Sequence, residues 1–380
     1  MISPQGVGGS ALQTDGTLEL LLVDRPIWDG DVDGALVCHQ VQQVIHDVRT
    51  FVLGSRGRHR FRHLPGQYVT VSVEVDGKTL SRCYTITSPP TRPHTLSITV
   101  KRVPGGIVSN HLHEHLHPGG ELRVDGPFGT FSIAHHPAPR YLFMSAGSGI
   151  TPLMAMMRTL HDLGSSADVT FVHFARTPAD IVFRTELDAI AAGNPGVRLL
   201  HVVEDEGGEG GWSGLRGRVG TALLSAAVAD AAERETFVCG PGPFMAAAQA
   251  ALRALGLPST RYHEETFVFE DLARDLTPLA VSSGEGSASQ TEPNGYEVSF
   301  RKSGRTVTCR PDQFVLDAAL EAGLTLPSSC GLGMCGTCKT TLLDGTVDMT
   351  HQGGIRQREI DNGKILICCS RPTSPLVVDS

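Results

Sequence analysis

No apolar stretch in this chain is long enough to cross a bilayer. Runs such as Leu18 to Val23, broken by Glu19, are far too short, whereas a spanning helix needs about 20 apolar residues. The first residues show no basic cluster followed by an apolar core, so a secretory signal is not expected. A formal net charge of −8 leaves no basic surplus for a nucleic-acid partner. A G-x-S-x-G turn, a two-histidine-one-carboxylate spacing and a haem motif are also missing, so nothing here reads as a self-contained substrate-transforming or oxygen-reacting centre.

What is present is cysteine, nine in all, in a telling arrangement. Cys330, Cys335 and Cys338 follow C-x4-C-x2-C inside a glycine-rich turn, and the adjacent pair Cys368-Cys369 comes 30 residues later. Three thiolates at this spacing with a distant fourth are the pattern of a plant-type 2Fe-2S site. Glycines at 331, 333 and 336 let the backbone curl and turn its N–H groups toward sulfide. A zinc knuckle would show two C-x2-C pairs. Thiols committed to such a site imply a reducing, cytosolic compartment. From Tyr296 to the end, nine Lys and Arg balance nine Asp and Glu, so long-range attraction does not set how this region docks.

The rest of the chain changes texture twice. Residues 1–33 read as an extension, turn-rich and then acidic ("DRPIWDGDVDG"), with Trp28 available to pack on the first domain. From Ala35, six β-rich runs broken by Gly and Pro predict a small antiparallel barrel. From Arg140, strand, glycine turn and helix alternate, predicting a parallel sheet covered on both faces. Residues 280–294 are Ser/Gly/Glu-rich and read as a tether.

Four motifs lie on this framework. Arg82-Cys83-Tyr84-Thr85 sits on a barrel strand whose alternation separates Arg82 and Tyr84 from Thr85. Gly105-Gly106-Ile107-Val108-Ser109-Asn110 is a glycine turn opening a helix, a place that favours phosphate. Gly147-Ser148-Gly149-Ile150-Thr151-Pro152 and Cys239-Gly240-Pro241-Gly242-Pro243-Phe244 each follow an apolar strand and allow close approach to a dinucleotide. The run "HLHEHLH" (His111, His113, His115, His117) reads as a solvated helix rather than a metal site.

Together these residues resemble the ferredoxin–NADP reductase superfamily from Ala35 to about Asp271, joined to a C-terminal plant-type ferredoxin domain. The resemblance implies a multi-domain fold: a flavin-binding antiparallel β-barrel (34–138), a Rossmann-like α/β nucleotide domain (139–274), a linker (275–294) and an α+β β-grasp ferredoxin domain (295–380). In it, Arg82 binds flavin phosphate, Tyr84 lies along the flavin, and Thr85 places a hydroxyl near the hydride-accepting nitrogen. Val100, Lys101, Gly106, Val108 and Ser109 complete the flavin contacts, with FAD preferred to FMN because a glycine turn at a helix start suits a pyrophosphate. Gly147, Gly149 and Thr151 cradle the pyridine nucleotide, and Cys239, Gly240 and Pro241 bring its nicotinamide to the flavin. Arg176 lies near the adenosine ribose; no Ser-plus-Arg/Tyr cluster accompanies it, so NADH is preferred to NADPH. Glu264 or Glu265 poises the flavin, with Glu265 taken as the catalytic carboxylate and Phe267 covering the ring. The ferredoxin resemblance selects Cys368 as fourth iron ligand, makes Cys369 a bystander, places a short helix at 315–324, and turns a strand at Lys339–Leu343 into a hairpin at Asp344-Gly345.

The implied activity is an NAD(P)H-dependent oxidoreductase passing electrons from NADH to flavin to 2Fe-2S to a partner protein. A Rieske-type non-haem-iron oxygenase component, such as a demethylase, is the expected partner. Reductases of hybrid-cluster proteins and of fatty-acyl desaturases have a similar architecture. A ferredoxin-like electron-transfer module without catalysis would leave both nucleotide motifs unexplained.

Overall fold

The computed structural model describes residues 25–207, 211–266 and 295–380, apart from 325, 327, 329, 330, 332, 334, 335, 337 and 352. The expected tether and most of the N-terminal extension lie outside the described residues. Among those described, no helix is long and apolar enough to cross a membrane.

The six β-rich runs each become a strand: β1 (Ala35–Ile45), β2 (Val48–Ser55), β3 (Tyr68–Val75), β4 (Lys78–Thr85), β5 (Leu96–Lys101) and β6 (Glu121–Phe128). They pair antiparallel in the order β4-β3-β6-β1-β2-β5. An Ile86–Ile98 bridge brings the end of β4 back to β5, so the sheet curls on itself. Inward residues such as Val69, Val71, Phe51 and Ile98 fill the interior, as period-two alternation requires. Trp28, just ahead of the short helix α1 (Gly30–Asp33), joins this core with its ring 5.5 Å from that of Phe61. Helix α2 (Ile107–His115) caps the barrel.

Next come β7 (Arg140–Ala146), α3 (Ile150–Asp162), β8 (Asp168–Ala175), α4 (Arg184–Gly193), β9 (Val197–Val203), β10 (Leu215–Arg216), α5 (Thr221–Ala227), β11 (Glu235–Gly240), α6 (Gly242–Ala254) and β12 (Tyr262–Thr266). All six strands are parallel, in the order β10-β9-β8-β7-β11-β12. Separate apolar clusters cover the two faces, which is why these strands read as continuous apolar runs rather than alternating ones. Strand order reverses between β7 and β11, the position at which open α/β sheets bind ligands.

The third domain contains β13 (Tyr296–Phe300), β14 (Arg305–Cys309), α7 (Val315–Glu321), β15 (Lys339–Asp344), β16 (Val347–Met349), α8 (Gln357–Asp361), β17 (Lys364–Leu366), β18 (Ser370–Pro372) and β19 (Leu376–Val378). Five strands form a mixed sheet, β14-β13-β19-β15-β17, and β16 pairs with β18 apart from it. The turn at Asp344-Gly345 is present, but the expected hairpin is not. Gly345 has φ +96°, and a Cβ there would stand 2.1 Å from the Pro375 carbonyl oxygen. The chain therefore bends against 373–376 and leaves the sheet, and β15 finds its neighbours in β17 and β19.

Candidate functional site

Strand β4 presents the first group of candidate residues. Cys83 faces solvent, Arg82 and Tyr84 are half-buried, and Thr85 is buried opposite Tyr68 of β3. Arg82 Nη1 donates to the Ser81 carbonyl at 2.8 Å, while its Nε and the Thr85 hydroxyl are buried with no partner in the protein. Buried polar atoms are normally satisfied, so a cation and a hydroxyl left open three residues apart fit an anionic, hydrogen-bonding ligand such as flavin. Burial drives the Tyr84 phenol far above its usual range, against the opposing charge of Arg82. The ring stays neutral.

Across the barrel mouth, Gly106 caps α2 in extended conformation. The Ser109 hydroxyl accepts from the Val103 N–H at 3.2 Å and donates to the Gly106 carbonyl, which fixes the turn. The first-turn N–H groups have no partners within the helix and suit a phosphate. Val100 and Val108 are buried in the barrel core, and Lys101 pairs with Asp47 at 3.3 Å. The histidine-rich helix is solvated on one face only. His111 and His115 stack at 4.5 Å, whereas His113 is buried with its Nε2 on the Val100 carbonyl.

The two glycine loops leave β7 and β11 side by side, at the switch point. A Cβ on Gly149 would stand 2.4 Å from the Cys239 carbonyl oxygen, so only glycine lets the two loops meet. Gly147 takes φ +53° with open space around it, and Thr151 Oγ1 donates to the Ser148 carbonyl at 3.1 Å. Pro241 caps α6 directly after Gly240. Close backbone approach at two helix starts fits a dinucleotide pyrophosphate. Beyond β8, Arg176 Nη2 donates to Asp180 at 3.0 Å. Although burial pushes it up, hydrogen bonds from Thr177 and Arg176 hold the Asp180 carboxyl below its usual range.

Cys239 and Glu265 are register partners on β11 and β12, and both are buried. Burial pushes the Glu265 carboxyl up to about 8, and its Oε2 has no partner. Burial, then the neighbouring Glu265, raises the Cys239 thiol well above its usual range. Glu264 instead faces outward and accepts from the Tyr262 hydroxyl at 2.7 Å, so of the two carboxylates only Glu265 enters the interior. Phe267 lies outside the described residues.

In the third domain Cys338 and Cys368 are buried in the core, with Cys369 beside them; Cys330 and Cys335 lie outside the described residues. The Gly333 N–H donates to Cys368 Sγ at 3.3 Å, and the Cys369 thiol turns to the Leu366 carbonyl at 3.6 Å. An N–H aimed at sulfur from a left-handed glycine is the donor set that a sulfide cluster requires.

A chain of contacts joins the barrel site to the cysteines. Thr85 pairs with Tyr68, whose ring lies against Gly129; the Gly129 N–H reaches the Gly353 carbonyl at 3.4 Å. Gly354 then donates to the Gly333 carbonyl at 3.0 Å, and Gly333 donates to Cys368. Gly129 and Gly353 were not evident as partners from sequence; the Gly-Gly at 353–354 was the one visible signal.

Residues 35–133 match the oxidoreductase FAD-binding domain family, 143–250 the oxidoreductase NAD-binding domain family, and 299–373 the 2Fe-2S iron-sulfur cluster binding domain family. The chain is 42% identical to the glycine betaine monooxygenase reductase subunit of Chromohalobacter salexigens over 90% of its own length and 94% of that protein's. It is 41% identical to the stachydrine N-demethylase reductase subunit of Rhizobium meliloti over 88% and 93%. The chain belongs to the FAD- and NAD-binding, 2Fe-2S oxidoreductases. Among solved structures, full-length CYP116B46 from Tepidiphilus thermophilus matches 96% of this chain with 45% of its own (26% identity, TM-score 0.55). The FAD/NAD-binding domain of nitric oxide dioxygenase from Vibrio cholerae matches 62% of the chain with 98% of its own (26% identity, TM-score 0.56). In this oxidoreductase family the barrel binds FAD, the parallel sheet binds the nicotinamide nucleotide and the third domain holds the 2Fe-2S cluster, the order in which the three sites stand here.

Proposed function

We propose that this protein is the NADH-dependent reductase component of a Rieske-type oxygenase system in the cytosol, serving an N-demethylase or monooxygenase that acts on a quaternary amine. The observation that carries the reading is the contact chain from Thr85 through Gly129 and Gly353 to Cys368, which ties the barrel site to the cysteine site within one molecule. The named relatives, reductase subunits of glycine betaine and stachydrine systems, supply the partner class.

The bound groups supply hydride transfer from nicotinamide to flavin and one-electron transfer from flavin to cluster. Arg82 would neutralise flavin phosphate, and the Thr85 hydroxyl would hydrogen-bond the ring. The Gly149–Cys239 contact fixes how closely the nicotinamide loop approaches. Glu265, its carboxyl raised to about 8 by burial, holds a proton at neutral pH, so no fixed negative charge opposes reduction there. Asp180, negative beside Arg176, would disfavour a 2′-phosphate there, which favours NADH over NADPH. The Gly333 N–H stabilises the Cys368 thiolate. Cys330, Cys335, Cys338 and Cys368 are the iron ligands.

The test is an anaerobic titration with NADH, followed by visible absorption and low-temperature electron paramagnetic resonance. Bleached flavin bands with a reduced 2Fe-2S signal are expected. Flavin reduction with no cluster signal would sink the internal route.

A further inference from the structure

We propose that the acidic segment ahead of the barrel, residues 26–33, is a docking strap for the chain's own 2Fe-2S domain, with Asp29 as the positioning residue; the inference rests on the internal electron transfer proposed for this chain. The strap is built on the flavin domain. Trp28 is buried in the barrel core, its backbone N–H donates to the Arg60 carbonyl at 2.9 Å, and the Arg60 backbone N–H donates to the Pro26 carbonyl. Asp29 and Asp33 lock the turn, the Asp33 N–H donating to the Asp29 carbonyl at 2.7 Å and the Asp29 N–H to Asp33 Oδ2 at 3.0 Å. That leaves the Asp29 carboxylate pointing outward from an anchored backbone.

It is met by two arginines from the far end of the chain, Arg358 lying 329 positions away. Arg358 donates two parallel bonds to Asp29, at 2.7 and 2.8 Å, and Arg356 Nη1 lies 3.6 Å from the same carboxylate. Arg356 also pairs with Asp125 at 3.3 Å and donates to the Gly126 carbonyl, while its guanidinium lies 5.1 Å over the Phe128 ring. Lys339 approaches the same ring at 5.2 Å. A single exposed ion pair contributes little. A forked, planar pair joined to a second guanidinium on an aromatic face is directional and fixes one orientation. Both arginines lie at the start of α8, within four residues of Gly353-Gly354, the backbone that touches Gly129 and backs the cysteine loop. The strap therefore sets the approach of the cluster domain to the barrel, and its acidic character answers a local basic pair that the domain's balanced total charge hides.

The test uses the holoprotein with Asp29→Arg, Arg358→Asp and the double reversal. Three readouts apply: hydrogen exchange of the peptide covering 353–361, single-turnover cluster reduction after NADH, and NADH–ferricyanide turnover. Each single reversal should speed exchange at 353–361 and slow cluster reduction about tenfold, with ferricyanide turnover unchanged, because small misplacements cost transfer steeply. The double reversal should recover both, as a directly coupled pair must. Unchanged exchange in both single variants overturns the strap, and so does loosened exchange with an unaltered rate of cluster reduction. An unreduced cluster in the unsubstituted protein counts against the reductase reading instead, and exchange with its recovery in the double variant still decides the strap.

Discussion

At the scale of single residues, the site is marked by polar groups that the protein buries and leaves open. Arg82 Nε, the Thr85 hydroxyl and Glu265 Oε2 are three such atoms, two on one strand and one across the nicotinamide loop. Glu265 yields a pH prediction. Its carboxyl is raised from the usual value to about 8 by burial, so the folded protein holds a proton that the unfolded chain has released. Stability from this group is complete below the unfolded carboxylate value and is lost as pH rises through about 8. Between pH 6 and pH 8 that loss is about 2 kcal/mol. Glu265→Gln should flatten this stretch of the denaturation profile and abolish the protonated-carboxyl infrared band; a band that persists would assign the proton elsewhere. The adjacent thiols give a second prediction. Cys368→Ser should remove the cluster's visible and paramagnetic signals, and Cys369→Ser should keep both. The opposite pattern would make Cys369 the ligand and leave the Gly333–Cys368 contact structural.

At the scale of elements, function depends on what two consecutive segments do at a strand end. The loops after β7 and β11 touch because Gly149 has no side chain, and Cys239 and Gly240 occupy the space a Cβ would need. Gly149→Ala should therefore weaken nucleotide binding at least about tenfold while flavin stays bound, since the neighbour that must shift is backbone rather than a flexible side chain. Equilibrium titration with NADH under anaerobic conditions checks it, and unchanged affinity would remove the loop contact from the site. The six barrel strands were legible in sequence because each alternates or runs apolar between Gly and Pro breaks. The pairing of β15 was not. A strand followed by Asp-Gly is a strong local hairpin signal, but the partner of β15 was decided by β17 and β19, contacts distant in sequence.

At the scale of the whole molecule, the barrel and the third domain approach each other at two glycines. A Cβ on Gly353 would stand 2.9 Å from the backbone nitrogen and Cα of Gly129. Gly353→Val should hold the domains apart, slowing NADH-driven cluster reduction about tenfold or more with flavin reduction unaltered; stopped-flow absorption separates the two phases, and equal rates would discard this contact as the route. The sequence by itself determined the strand content of the barrel, the parallel sheet and the cysteine site, because each rests on local pattern: alternation, glycine spacing and the distance between cysteines; the flavin and nicotinamide sites were implied by resemblance to a known superfamily. The histidine-rich helix shows the limit of such reading. Its spacing says which residues share a face, and only packing against Val100 decided that His113 is buried. Tertiary structure likewise decided which of Glu264 and Glu265 faces inward, which thiol meets the Gly333 N–H, and what Asp29 is for. Those outcomes depend on side chains far apart in the chain being brought within hydrogen-bond reach, and no periodicity along one strand or helix encodes a partner on another.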